Sequence, residues 1–343
     1  MARLNGSAPR LALAFFGWLI AAVLLGSQHG CAPAGQSASA AQSNLDAPAA
    51  GGSSPSAKSG PSADQLLFPS ATDASAALIA AAKDKNTDQL RKILGPARDE
   101  LVSGDPVQDA NNLDSFARHA GEADRLEQVS DQKAIVHIGK KDWPFPIPIE
   151  KDASGRWYFD TAAGKDEILN RRIGDDELTT IEVVRAYVDA QREYASKDRM
   201  GDSVLQYAQK ITSTPGKHDG LYWPAAEGEE QSPFGSLVAD AQVQGYGAKL
   251  GSGRRPYHGY FYRILTKQGP HTPAGAYSYI INGRMIAGFA LVAYPAQYGN
   301  TGIMTFIVNH DGKVYQKDLG PNTATIASKI DTYDPDGTWT LVQ

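Results

Sequence analysis

The fold of this chain is decided by YHGYFYRILTKQG (residues 257–269) and by AGFALVAYPAQYGNTGIMTFIVNHDGKVYQKDLG (residues 287–320). Apolar and polar residues alternate through both segments, which is typical of strands with one buried face. Asp311-Gly312, between two alternating runs, is a strong hairpin signal. The pattern predicts an antiparallel meander with strands at 257–266, 276–281, 286–294, 301–308, 313–318 and 338–342.

A long amphipathic helix is predicted ahead of the meander, from about Asp176 to Lys197. Its apolar residues follow a helical spacing that includes Leu178, Val184 and Tyr187. Because this apolar surface is wide, the helix should pack against the sheet, which predicts an α+β domain over residues 175–343. Shorter helices are predicted at 203–212 and 233–244.

Residues 64–174 predict a separate α+β domain. Helices are expected at 72–83, 87–94 and 106–120, and strands at 125–130, 133–139 and 156–160. Asp105-Pro106 supplies an N-cap and a first turn for the third helix. In WPFPIPI (143–149) the apolar residues alternate with prolines, which predicts an edge strand or arm with Trp143, Phe145, Ile147 and Ile149 on one face. Helices followed by a curved antiparallel sheet resemble the cystatin-like and nuclear-transport-factor-2-like (NTF2-like) folds.

Residues 1–31 have the layout of a secretory signal peptide. Two arginines precede an apolar run at 11–25, and small or polar residues follow up to Cys31. The run is shorter than the roughly 20 residues that a transmembrane helix needs. Two outcomes stay open: cleavage before Cys31 with lipidation of that residue, as in bacterial lipoproteins, or ordinary cleavage after Ala34 or Ala40.

Residues 32–63 predict a flexible tether. They are mostly Ala, Ser, Gly, Pro and Gln, with no aromatic residue and little apolar surface to bury. The remaining 280 or so residues are more than one ordinary hydrophobic core accommodates, which favours two domains, 64–174 and 175–343.

Cysteine content and charge exclude several kinds of site. Cys31 is the only cysteine, so intramolecular disulfides and Cys-ligated zinc are excluded. The chain has 33 basic and 38 acidic residues, and loss of residues 1–31 removes Arg3 and Arg10 but no acidic residue, which leaves a net charge of −7. This balance argues against nucleic acid and anionic lipid as partners. A membrane is therefore expected to be contacted only through a lipid on Cys31.

The candidate ligand-binding residues are Tyr257, His258, Tyr260, Arg263 and Arg284. A face that combines tyrosine, histidine and arginine side chains could recognise a carboxylate or a sugar. The alternative is a strand whose polar side chains pair within the sheet. The sequence has neither a nucleophile elbow nor an H-x-x-x-H pair, so no catalytic residue is predicted.

The segment DTYDPDG (331–337) is the one candidate for a metal. Asp331, Asp334 and Asp336 resemble the ligand run of a calcium loop, although the further carboxylate that such loops carry is missing. The alternative is a Pro-Asp-Gly turn before the last strand. No other cofactor is predicted.

From about residue 68 to its end the chain resembles the exported bacterial family known as domain of unknown function 2950 (DUF2950). The resemblance is carried by GLYWP (220–224), PYHGYFYRILTKQGP (256–270), INGRMIAGFALVAYPAQYG (281–299) and TGIMTFIVNHDGKVYQKDLG (301–320). It implies an exported location, and it implies no particular reaction.

The later half is also similar to the globular part of type IV pilin-like and pseudopilin-like proteins. The segments IEVVRAYVDAQREYASKD (181–198), HGYFYRI (258–264) and GFALVAYPAQYGNTGIMTFIVNHDGKVY (288–315) resemble a helix spine packed on an antiparallel sheet. Pilins assemble through a hydrophobic extension of that helix, whereas polar GDDELTT (174–180) precedes it here. The resemblance therefore implies the fold and not filament assembly.

These observations favour an exported cell-envelope protein, periplasmic or tethered to the outer membrane. It would act without catalysis, as a binding or assembly factor for an envelope protein or a cell-wall component. The rival is a hydrolase or transferase on cell-wall material that uses His258, Arg263 and Arg284 with a carboxylate. A deep pocket that collects these side chains would favour the rival, and their dispersal would oppose it.

Overall fold

The structure is a computed structural model that describes residues 60–226, 228–244, 246 and 255–343. The described residues fall within one compact unit. They form helices and antiparallel sheets, so the predicted α+β class is confirmed. The signal segment, Cys31 and most of the 32–63 tether lie outside the described residues. The division into domains 64–174 and 175–343 stays a prediction.

Helices α1 to α3 and strands β1 to β5 build the first core. The helices span Ala71–Lys83, Thr87–Leu94 and Pro106–Glu122, with a 3₁₀ helix at Pro96–Leu101. The strands span Asp124–Ser130, Lys133–Ile138, Trp143–Pro144, Ile149–Lys151 and Trp157–Phe159. The sheet order is β1-β2-β4-β5, with β3 paired to β2. The predicted cap of α3 is confirmed, since Asp105 accepts the backbone N–H groups of Val107 and Gln108.

The proline-rich arm covers this core with one face, as its alternation predicts. Ile147 and Ile149 are buried, and Trp143 and Phe145 pack against the same cluster. The Phe145 ring centroid lies 5.2 Å from that of Phe116. The segment closes its own core and leaves its prolines where no ladder hydrogen bond is needed.

Helix α4 spans Thr161–Tyr194, so its predicted start near Asp176 is wrong by about four turns. Asp160 caps the helix by accepting the N–H of Ala163 at 3.1 Å. Near this end the helix passes so close to the arm that a Cβ at Gly164 would lie 2.8 Å from the Ile147 backbone. The first half is held by such long-range contacts and not by an apolar repeat, which is why its sequence gave no helical period.

Leu178 was predicted on the buried stripe of α4, and this is wrong because its side chain is 60% exposed. Six residues at 100° each separate Leu178 from Val184, so the two side chains point about 120° apart. The buried positions instead include Asp176, Thr180, Val183, Val184, Tyr187, Val188, Ala190, Gln191 and Tyr194.

The second core lies between α4 and a five-stranded antiparallel sheet with the order β14-β13-β12-β11-β6. These strands span Thr340–Leu341, Val314–Asp318, Met304–Asn309, Ala290–Pro295 and Tyr260–Leu265, in that order. The predicted antiparallel strands and their hairpin at Asn309 to Gly312 are confirmed for this sheet. The strand predicted at 276–281 is wrong as a member of the meander, because β6 pairs directly with β11 and residues 277–281 form two short strands outside this sheet. Short strands β7 to β10 span Lys267–Gln268, Tyr277–Ser278, Ile280–Ile281 and Arg284–Met285.

Two further helices accompany this sheet. α5 spans Gly235–Val243, as predicted, and α6 spans Thr323–Ala327, which the sequence did not predict. The helix predicted at 203–212 is wrong. Asp198 instead accepts four backbone N–H groups from residues 200–203, which folds the chain into a tight loop. None of the helices in the described part of the chain is long and apolar enough to cross a membrane.

Candidate functional site

A group of buried polar side chains lies where α3 meets α4 and the start of β6. We call Asp105, Gln108, Asp176, Tyr246 and His258 the Asp176 cluster. Asp105 and Gln108 belong to the first turn of α3, Asp176 to the middle of α4, Tyr246 to the segment after α5, and His258 to the turn before β6. The cluster thus joins elements of both cores.

Hydrogen bonds connect four members of the cluster, whereas His258 bonds to Gln244, which lies outside it. The Gln108 side-chain amide donates to Oδ1 of Asp176. The Tyr246 hydroxyl donates to Oδ2 of Asp105 at 2.8 Å. Nε2 of His258 lies 2.9 Å from Oε1 of Gln244. The carboxylate of Asp105 therefore caps α3 and holds Tyr246 at the same time.

The turn before β6 has a backbone that few residues adopt. His258 has φ +46°, and Gly259 has φ +70°. A Cβ at position 259 would lie 2.6 Å from Oδ2 of Asp176 and 2.7 Å from Cβ of Thr301. Glycine is required at position 259 for both reasons, and the turn brings the backbone directly against the Asp176 carboxyl.

Burial sets the protonation of the cluster. It raises the pKa of Asp176 to about 8, against the effects of the Gln108 hydrogen bond and the Arg172 charge. Burial also lowers the pKa of His258 to about 4, although the Asp105 charge opposes this. Asp176 is therefore mainly protonated near pH 7, and His258 is neutral. Burial and the neighbouring Asp105 raise the pKa of Tyr246.

Chemically, the cluster is a buried hydrogen-bonded group with one partly accessible member. The Asp176 side chain is 0% exposed, whereas His258 is half-buried. The carboxyl of Asp176 is therefore shielded from solvent. Oδ2 of Asp176 and Oε1 of Gln108 are buried without a hydrogen-bond partner among the residues the structure describes. Groups with perturbed pKa values and unsatisfied atoms are common at functional sites.

The structure keeps three of the five predicted ligand-binding residues in one turn and separates the other two. Tyr257 contacts His258, with ring centroids 4.5 Å apart. Tyr260 is buried and donates to the carbonyl of Met304 at 3.0 Å. All three lie within four positions of one another at the start of β6.

Arg263 and Arg284 bond elsewhere. Arg263 donates to the carbonyl of Ala327 at 2.8 Å and so caps the end of α6. Arg284 forms an ion pair with Asp202 at 2.8 Å, beside the short β9–β10 hairpin. The five side chains therefore do not line one pocket.

An apolar cavity of about 20 Å³ lies between α4, α5 and strands β6 and β11. Its walls include Val183, Phe234, Tyr257 and Tyr262. A space of this size is near the smallest that holds one water molecule, and its walls offer that water few polar partners. The cavity is a packing defect and too small for a ligand.

The carboxylates proposed for calcium each have their own protein partner. Asp331 pairs with Lys267 at 2.9 Å, and Asp334 pairs with His271 at 2.9 Å. Asp336 accepts the backbone N–H of Thr338 at 2.9 Å. Within the described ranges, no three His, Cys, Asp or Glu side chains are grouped so that they could hold a metal ion.

Comparison with known protein families assigns the chain to one of them. Residues 65–342 match the model of a family described as protein of unknown function (DUF2950). The chain belongs to the DUF2950 family. No curated protein and no solved structure matches this DUF2950 chain significantly.

The sequence did not identify four members of the Asp176 cluster as site residues, namely Asp105, Gln108, Asp176 and Tyr246. One signal was available, because Asp176 precedes Thr180, Val183 and Tyr187 at the i, i+4, i+7 and i+11 spacing of a single helix face. An acid on a buried stripe is unusual. The signal was lost because the helix was expected to begin at Asp176.

Proposed function

We propose that this DUF2950 protein is an exported cell-envelope protein that acts as a non-enzymatic binding or assembly factor. Its partner would be an envelope protein or a cell-wall component, on the periplasmic side or at the outer membrane. Export is inferred from the signal-like residues 1–31, and lipidation would depend on Cys31. Kinship of the later half with pilin-like domains belongs to the same proposal, and α4 packed over an antiparallel meander supports it.

One observation carries the non-enzymatic part of the proposal. The polar side chains best suited to chemistry are already bonded to other protein groups. Tyr260 donates to a backbone carbonyl, Arg263 caps a helix and Arg284 pairs with Asp202. Both carboxyl groups of the cluster, those of Asp105 and Asp176, are buried. This arrangement supports a rigid scaffold, and in the described part of the chain the five candidate side chains do not meet in a pocket where the cell-wall hydrolase or transferase could act.

An exposed apolar surface supports the binding role. We call Leu205, Ile281 and Ile286 the hairpin surface, and these side chains are 59%, 46% and 40% exposed. The surface is well anchored, because the N–H of Tyr207 donates to the carbonyl of Met285 at 2.8 Å. Leu205 lies two residues before Tyr207, and Ile286 directly follows Met285, so this bond places both residues beside the β9–β10 hairpin that carries Ile281. Exposed apolar patches are a common feature of interaction sites.

Site-specific photo-crosslinking in the native bacterium tests the proposal. A photoreactive amino acid would replace Leu205 or Ile281 in the full-length protein. Val129 is the matched control, because it is 50% exposed but lies on β1 of the first core. We expect one discrete envelope adduct from the first two positions and none from the control. Absence of an adduct, or equal labelling at Val129, would overturn the assignment of this surface.

The non-enzymatic claim needs its own test. Purified protein would be incubated with isolated peptidoglycan, and soluble products would be measured beside the His258→Ala variant. We expect no products from either protein. Turnover by the wild type that is lost in the variant would replace the proposal with the hydrolase or transferase.

A further inference from the structure

The contact between Gln108 and Asp176 joins a helix of the first core to the central helix of the second. The Gln108 amide donates to Oδ1 of Asp176. The second oxygen of each group, Oε1 of Gln108 and Oδ2 of Asp176, is buried and has no partner among the described residues. Two acceptors on two bonded groups thus lack a donor.

A single hydrogen atom bound to one of these two oxygens can complete the hydrogen bonding of both. An ionised carboxylate only accepts hydrogen bonds, whereas a carboxylic acid also carries one O–H donor. A neutral acid and an amide can pair through two hydrogen bonds, amide N–H to acid oxygen and acid O–H to amide oxygen. A proton on Asp176 would therefore supply the missing donor, and loss of that proton would leave both oxygens buried and unpaired.

The surroundings disfavour a negative charge on Asp176. Among the described residues, the charged and titratable groups that act on it or that it acts on are Asp175 and Arg172 on α4, Asp105 at α3, Tyr246 of the cluster, and Tyr260 and Tyr262 on β6, with His258 of the cluster nearby in the turn before β6. Arg172 is the one cation in this set, and its guanidinium already donates to Asn300 and to the carbonyl of Leu101. His258 adds no positive charge near neutral pH.

We propose that Asp176 and Gln108 share a single proton, and that this proton holds α3 against α4 so that the contact loosens as pH rises. This link between the shared proton and the α3–α4 contact does not depend on the binding role proposed above. When the contact opens, Asp176 becomes solvated and releases its proton at the ordinary pKa of a carboxyl. Opening of the contact is therefore coupled to proton release. The opening equilibrium constant increases as pH rises, until the closed form also ionises near pH 8.

Hydrogen–deuterium exchange on the full-length protein at pH 5 and pH 7 measures this coupling. After correction for the intrinsic exchange rates, the opening equilibrium of α3 should rise by up to about 100-fold between the two pH values, which is tenfold for each pH unit. Asp176→Asn should remove this dependence, because an amide cannot ionise. Asp189→Asn is the control, since the Asp189 side chain lies on the same helix and is 81% exposed.

A wild-type opening equilibrium that changes no more than that of Asp176→Asn would overturn the proposal. A second measurement holds even if the variant fails to fold. Carbon-13 NMR of labelled aspartate in the wild-type protein should show one carboxyl that remains protonated at pH 7. A spectrum in which every aspartate carboxyl is ionised at pH 7 would reject the shared proton.

Discussion

Replacement of Gln191 by leucine should destabilise the protein more than any exposed substitution of the same kind. Gln191 is 0% exposed and bridges α4 to the neighbouring loop. Its Nε2 donates to the carbonyl of Ala208 at 2.8 Å, and its Oε1 accepts the N–H of Ala208 at 2.8 Å. Nε2 also donates to the hydroxyl of Tyr187, which in turn donates to the carbonyl of Ala290.

The expected cost follows from the groups that lose their partners. Leucine has a similar volume but no polar atom, so both backbone groups of Ala208 would be left unpaired in a position that is 1% exposed. An unsatisfied buried polar group costs about 1–3 kcal/mol, so the two together should lower the free energy of unfolding by about 4 kcal/mol. That is a large part of the total stability of most proteins, about 5–15 kcal/mol.

Equilibrium unfolding in urea, followed by tryptophan fluorescence, would measure this change. The midpoint should fall while the slope stays constant. Gln209→Leu is the matched control, because Gln209 is exposed and donates a single hydrogen bond to the carbonyl of Gly283. The control should change stability by less than about 1 kcal/mol. If Gln191→Leu were equally mild, the assignment of Gln191 as the link between α4 and its neighbours would be refuted.

Three further outcomes are expected. Arg263→Ala should lower stability by about 2 kcal/mol in thermal or urea unfolding, because it removes charge-assisted hydrogen bonds to the end of α6; a loss below about 0.5 kcal/mol would contradict this. The ion pair with Asp334 raises the pKa of His271, so this pair stabilises the fold at acidic pH and its contribution is lost as pH rises through the folded-state pKa. In Asp334→Asn the His271 pKa, measured by NMR, should return toward 6.5, and an unchanged value would rule out the pair. Calcium and a chelator should leave the melting temperature unchanged, because the carboxylates of 331–337 already have protein partners; a rise with calcium would restore the calcium hypothesis.

The parts of the fold that the sequence predicts well are those with local signals. The bounds of α2 match the prediction, because Gly95-Pro96 ends that helix. The β12–β13 hairpin follows from Asp311-Gly312 in the same way. In these segments, caps and turn residues determine the structure without help from distant residues.

The parts that the sequence does not predict depend on distant contacts. The first half of α4 is polar, and it is held by bonds such as those from Lys165 to Glu100 and from Arg172 to the carbonyl of Leu101. The Asp176 cluster is formed by pairs 68 and 141 positions apart along the chain. The periodicity of apolar residues indicates the structure of one helix or strand at a time. It therefore cannot reveal a site that forms only after α3, α4 and β6 have packed together.

Helix α4 has a mechanical consequence. Its 34 residues give it a length of about 51 Å, at 1.5 Å for each residue. One end contacts the 3₁₀ helix of the first core, and the other lies over strands β11 to β13 of the second. The helix is therefore shared by both cores, and both cores lose contacts if it unfolds. Under a stretching force applied at residues 64 and 343, the two cores should rupture in one event and not in two.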